Sequence, residues 1–217
     1  MKICIPIQAK TQKEALKKLK EVAKHGDLAE IWLDQIEDLD LEALLKPRPH
    51  PIVSVCKRPA DKGKFKGTFA ELADLLIQGV EFHATYVDIP IQMPEKLSKK
   101  VVQKARKRGC KVIISHHDFR KTPDYPKLVK LAEKMQKRGA DVIKIATHAN
   151  SLADTVNIIA LAKYAEGQKM RHILIAMGEK GMLSRILTPT LGGEMMFATL
   201  GKIGQTAPGQ LSVEHVR

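Results

Sequence analysis

The chain alternates between two kinds of hydrophobic spacing, and that alternation constrains its fold more than any other feature. Short β-branched runs recur: KICIPIQ (2–8), LAEIWLD (28–34), PIVSVCK (51–57), TYVDIPI (85–91), CKVIISHHD (110–118), DVIKIATH (141–148), HILIAMG (172–178) and MMFATLG (195–201). Between most of them lie segments whose apolar residues repeat near 3.6, namely 11–26, 68–80, 94–109, 124–139 and 151–167. Gly26, Gly109, Gly139 and Gly167 stand where such segments should stop. Strand–helix alternation implies right-handed βαβ units and a parallel sheet. Eight units in 217 residues fit an α/β fold of the (β/α)8 TIM-barrel type, with a doubly wound open sheet as the rival. No linker or break in composition divides the chain, so residues 1–217 read as a single domain.

The formal net charge is +13, but the lysines are spread along helix faces, as in KLSKKVVQKARKRG. Aromatics are only 4%, too few for base-stacking platforms, and no RNP-like or zinc-finger pattern occurs, so no nucleic-acid partner is expected. A basic balance instead suits a small anionic substrate. No run approaches the roughly 18 apolar residues of a membrane span, and MKICIPIQAK lacks the apolar stretch of a signal peptide. The expectation is a cytoplasmic protein with no membrane partner. Cys4, Cys56 and Cys110 form no CxxC and read as small buried hydrophobes. Neither a glycine-rich phosphate loop nor an HExxH pattern is present, which predicts no metal and no dinucleotide cofactor.

In a barrel of this kind the chemistry sits at the C-terminal ends of the strands. Polar side chains near those ends are Glu30 and Asp34, Lys57 and Arg58, Asp88, then Ser115, His116, His117 and Asp118, and Lys144. Lys144 interrupts the apolar run GADVIKIATHAN. Strand alternation puts Val142, Lys144 and Ala146 on one face and Ile143 and Ile145 on the other. The isoleucines suit the helix layer, so Lys144 points into the barrel. Burial near other cations predicts a lowered pKa and a neutral amine able to attack a ketone and form an imine. The alternative is a lysine paired with a buried carboxylate for structure alone. His117, on the neighbouring strand, would move protons while the lysine supplies the electron sink. His116 points the other way.

SHHDF (115–119) followed by RKTP resembles the S-x-H-[DN]-F…TP segment of type I 3-dehydroquinate dehydratases. VIKIA (142–146) resembles that family's lysine strand, and AMGEKGMLSRIL (176–187) its M-x-x-x-G-x-x-S-R segment. FATLGKIGQTAPGQLSVEHVR (197–217) resembles its C-terminal [ST]-A-P-G-Q and closing helix. AEIWLD (29–34) and VCKRPADKGKFKG (55–67) resemble its second and third strand motifs less closely.

The resemblance implies a commonly dimeric (β/α)8 barrel that needs no cofactor or metal and dehydrates 3-dehydroquinate to 3-dehydroshikimate. It further implies that Lys144 forms the imine, that His117 moves the protons, and that Asp61 keeps the imidazole oriented and basic. Glu30 would bind the ring hydroxyls, and Arg185, Thr206 and Gln210 the carboxylate. Trp32 stands where the family usually has an arginine, and either Lys57 or Arg58 fills the cationic place on the third strand. The loop KIGQTAPGQ, with Gly201, Gly204 and Gly209, is expected to close over the site. A class I aldolase would use the same lysine to cleave a carbon–carbon bond. A basic binding protein would require none of these residues together.

Overall fold

The computed structural model describes residues 2–46, 50–206 and 209–217. Eight parallel strands form the barrel wall: β1 (Lys2–Ile7), β2 (Leu28–Trp32), β3 (Ile52–Val55), β4 (Tyr86–Pro90), β5 (Lys111–Asp118), β6 (Val142–His148), β7 (His172–Met177) and β8 (Met195–Thr199). They follow one another in the order β7-β6-β5-β4-β3-β2-β1-β8. Helices α1 (Gln12–His25), α2 (Leu41–Leu45), α3 (Phe69–Glu81), α4 (Glu95–Lys107), α5 (Tyr125–Lys137), α6 (Leu152–Gly167) and α7 (Met182–Thr190) connect them. A two-residue strand β9 (Leu211–Ser212), paired with β8, and a short α8 (Val213–Val216) follow. The sequence pattern does not show α2, α7 or β9, because each is too short or too interrupted to display a period.

The ring closes between β7 and β8 through a single bridge, His172 to Gly193, and the bond Glu194 N–H to His172 O (2.8 Å). The His172 imidazole is fully buried beside this seam, with Nδ1 3.1 Å from Met170 O and Nε2 3.3 Å from Thr188 O. Cyclic strand order settles the choice between barrel and open sheet.

Local signals set the helix boundaries. Thr11 caps α1 by accepting from Glu14 N–H, and Thr68–Glu71 and Ser151–Asp154 form capping boxes at α3 and α6. Gly109 and Gly139 adopt left-handed φ values of +69° and +95° after α4 and α5. Gly26 is extended instead, and Gly167 is the last residue of α6, with Lys169 taking the left-handed position (φ +56°).

Two apolar layers hold the barrel. Ile143 and Ile145 pack with Ile158, Leu161 and the other helix-facing residues outside the sheet. Cys4, Leu28, Val53, Tyr86, Ile113, Val142 and Ile173 fill the interior. Two residues further along β2, β4, β5 and β6 the inward face changes character: Leu28 gives way to Glu30, Tyr86 to Asp88, Ile113 to Ser115 and Val142 to Lys144. The pleat of period two therefore places a charged layer directly on an apolar floor. Replacing Ile145 by alanine should cost about 2–5 kcal/mol of stability, measured by urea unfolding, because the side chain is fully buried between sheet and helices. A loss well below about 1 kcal/mol would contradict this placement.

Candidate active site

At the C-terminal end of the barrel, Glu30, Trp32, Lys57, Asp61, His117 and Lys144 line one cleft, together with Arg185, Thr206 and Gln210. Lys144 is 4% exposed. Its Nζ donates to Glu30 Oε2 (2.7 Å) and Asp88 Oδ2 (3.3 Å) and lies 4.4 Å from the centre of the Phe197 ring. Burial alone pulls the amine's pKa down, but Glu30 and Asp88 outweigh it and raise the pKa above the ordinary lysine value. The expectation of a lowered pKa is thus corrected: Lys144 rests as an ammonium, because its nearest charges are anions and not cations.

Asp88 is the residue that sequence reasoning noted and did not assign to the site. It is fully buried and receives Lys57 Nζ (3.2 Å), Lys144 Nζ and the Ser115 hydroxyl. Burial opposes its ionisation, yet Lys57 and Lys144 hold its carboxyl well below the usual carboxylate range. Its inward direction follows from Tyr86 two residues earlier, which lies in the interior cluster.

The alternatives on the third strand separate cleanly. Lys57 is 3% exposed, with Nζ inside the barrel on Asp88 and Ser115 Oγ (3.3 Å). The Arg58 guanidinium instead stacks 4.4 Å over the Phe69 ring and does not line the cleft. Backbone geometry fixes this choice. Asp34 accepts from Lys57 N–H (2.8 Å) and Lys64 N–H (2.9 Å), bracing the loop after β3. Gly63 lies so close to the Lys57 carbonyl that a Cβ there would fall 1.9 Å from its oxygen.

His117 Nδ1 lies 3.7 Å from Asp61 Oδ1, beyond hydrogen-bond reach. Its ring stacks against Phe119, with centroids 6.0 Å apart. Burial, together with the Lys57 and Lys144 cations, pushes the imidazole well below its ordinary pKa. The net direction for His117 is thus toward the neutral imidazole although the Asp61 carboxylate stands beside it, and burial raises the Asp61 carboxyl in turn. The neutral imidazole is still the form that accepts a proton.

Glu30 takes its second hydrogen bond from Trp32 Nε1 (3.0 Å, to Oε1). Arg185 enters from α7, nearly buried, and burial lowers its guanidinium to about 10, still charged near neutrality. Gln210 Oε1 accepts from Thr206 N–H (3.0 Å) and Oγ1–H (3.4 Å). Ala207 and Pro208 of the TAPGQ motif lie outside the described residues. Lys62, Phe119 and Phe197 also line the cleft, and sequence reasoning missed them. Lys62 and Phe119 follow Asp61 and His117 closely, but Phe197 reads as one more core aromatic. Among the described residues no group of three or more His, Cys, Asp or Glu could hold a metal ion.

Fold and site together define a (β/α)8 barrel enzyme built around a buried lysine, two carboxylates and a neutral histidine. Residues 3–217 match the model of the type I 3-dehydroquinase family, and the chain belongs to that family of hydro-lyases. It is 36% identical over 220 residues to the 3-dehydroquinate dehydratase of Pyrococcus abyssi, covering 99% of this chain and 95% of that one. It is 32% identical to the bifunctional 3-dehydroquinate dehydratase/shikimate dehydrogenase of Arabidopsis thaliana, covering 98% of this chain and 35% of that protein. The crystal structure of the type I 3-dehydroquinate dehydratase from Clostridium difficile with covalently modified comenic acid superposes with a TM-score of 0.90 at 25% identity, over 99% of this chain and 88% of that one.

Replacing Asp88 by asparagine should destabilise the protein by about 3–5 kcal/mol at neutral pH, because two buried ammonium groups lose their shared anion. A carboxyl with a depressed folded pKa stabilises above its unfolded pKa, and that stability is lost as pH falls. The wild type should therefore lose stability below about pH 4, and the variant should show a shallower acid limb. Equal acid limbs in chemical denaturation would contradict the assignment.

Proposed function

We propose that the protein dehydrates 3-dehydroquinate to 3-dehydroshikimate, a step of the shikimate pathway to aromatic amino acids, through an imine on Lys144. The supporting observation is Lys144 itself: an ammonium buried at the catalytic end of the barrel, within hydrogen-bond distance of a carboxylate that can take its proton. The amine attacks the ring ketone and water leaves. The resulting iminium acidifies the neighbouring carbon, and neutral His117 removes a proton there. The electron pair moves toward the iminium nitrogen and back to expel the hydroxyl, which His117 protonates. Hydrolysis then frees the product and restores Lys144. No step needs a metal or cofactor.

Arg185 grips the substrate carboxylate with its two-pronged guanidinium, aided by Thr206 and Gln210. Lys57 supplies a further cation beside the ring, and Asp61 flanks His117. Thr206 and Gln210, which line the cleft, close over the bound substrate. Gly209 already packs against Gly178, where an added Cβ would stand 3.2 Å from the carbonyl oxygen. Substrate should protect the chain at Thr206 and Gln210 from proteolysis, and identical cleavage with and without substrate would count against closure. Free, buried cysteines suit a cytoplasmic enzyme. Among the described residues no helix is long and apolar enough to cross a membrane.

Lys144→Ala should fold yet show no turnover when the conjugated product is followed by ultraviolet absorbance. Near-normal turnover in that variant would end this reading. Carbon–carbon cleavage of the substrate in place of dehydration would favour an aldolase.

The working unit is a homodimer. The exposed large apolar side chains among the described residues, Leu152, Val156, Met182, Leu183 and Ile186, lie on the adjoining helices α6 and α7. This face is also poor in cations: α6 carries a single lysine, Lys163, whereas α4 carries Lys96, Lys99, Lys100, Lys104, Arg106 and Lys107. Two copies of a chain of charge +13 repel least where cations are fewest. Ile186→Glu should give monomers in analytical ultracentrifugation, and an unchanged mass would exclude this face.

A further inference from the structure

Lys144 must give up a proton before it can attack, and the site offers two oxygens to receive it. Asp88 Oδ2, at 3.3 Å, is already shared with Lys57, and its other oxygen accepts the Ser115 hydroxyl. Protonating Asp88 would leave Lys57 without its anion in a fully buried place. Glu30 differs. Its Oε2 is the nearer oxygen, at 2.7 Å, and its Oε1 accepts from the uncharged indole N–H of Trp32. Glu30 can take the proton without breaking a second ion pair.

Building on the imine mechanism above, we propose that Glu30 is the proton acceptor and donor for imine formation and that Trp32 is its positioning residue. The Lys144 ammonium passes one proton to Glu30 Oε2. The freed lone pair forms the C–N bond and the attacking nitrogen passes a proton to the ketone oxygen, giving a neutral carbinolamine while Glu30 keeps the proton it took. Glu30 returns its proton to the departing hydroxyl, which leaves as water. The sum is ammonium plus ketone to iminium plus water, with no net proton released. The indole N–H keeps Oε1 occupied so that Oε2 stays aimed at Nζ. A guanidinium in the same place would add a positive charge that favours the Glu30 anion and opposes its protonation. The neutral indole leaves Glu30 free to cycle.

The test compares two readouts: the rate of borohydride-trappable adduct formation in a single turnover, and the calorimetric affinity for quinate, which has the ring carboxylate and hydroxyls without the ketone. Trp32→Phe should slow adduct formation about tenfold with quinate binding nearly unchanged. Glu30→Gln, which keeps the shape but accepts no proton, should slow it about a hundredfold. In the Glu30→Gln background Trp32→Phe should add nothing further. The proposal is overturned if Trp32→Phe weakens quinate binding as much as it slows the adduct, since Trp32 would then be a substrate wall. It is equally overturned if the two losses multiply in the double variant. Should Trp32→Phe fail to fold, a wild-type adduct rate in Glu30→Gln alone would be decisive against it. A wild type that forms no adduct removes the imine reading itself, and this proposal with it.

Discussion

The ion cluster Glu30–Lys144–Asp88–Lys57 is what the catalytic end of the barrel is arranged around. Four charges, each at most 4% exposed, sit in one inward-facing layer contributed by β2, β6 and β4 and by the loop after β3. Burying any one of them alone would be strongly unfavourable. Each is tolerable because a counter-charge meets it at the same height inside the barrel: Glu30 reaches Lys144 from β2 across to β6, and Asp88 on β4 takes both Lys144 and Lys57. That height comes from the parallel register, which sets Ser115 opposite Lys144 and Asp88 opposite Ile113. A slip of one residue in any of these strands would turn its charge outward into the helix layer.

A buried ion cluster is weak evidence for stability, since apolar residues of similar volume often serve as well. Its arrangement makes better sense as chemistry. The two anions keep Lys144 protonated at rest, and burial together with the two lysines keeps His117 neutral. One group thus starts with the proton that it must lose, and the other without the proton that it must gain. A ketone entering the cleft needs only a local proton shift to begin reaction. The apolar floor beneath, from Cys4 to Ile173, excludes water from below and keeps these interactions strong.

Much of this was legible in the chain. Eight β-branched runs gave the barrel, and the alternation through Val142–Ile145 gave Lys144 its direction, because a strand of period two leaves a side chain only two faces. What was not legible depended on contacts between strands distant in sequence. The Lys144 pKa was misjudged because its sign is set by Glu30, which lies 114 residues away along the chain. Asp88 was passed over because one aspartate in TYVDIPI carries no motif of its own. Lys57 and Arg58 are equivalent in one dimension; the Asp34 brace and the tight turn at Gly63 decide which of them enters the barrel. Trp32 reads from the sequence only as a substrate-site residue in the place of an arginine, because its donor role toward Glu30 exists only once Glu30 is folded beside it.

The central claim is that Lys144 is the nucleophile, and the most direct measurement traps it. The protein is incubated with 3-dehydroquinate and borohydride, digested, and mapped by peptide mass spectrometry. The account predicts a single reduced adduct, carried by the peptide that contains Lys144. An adduct on Lys57, or none from folded and active protein, would contradict it and return Lys144 to the status of a structural cation.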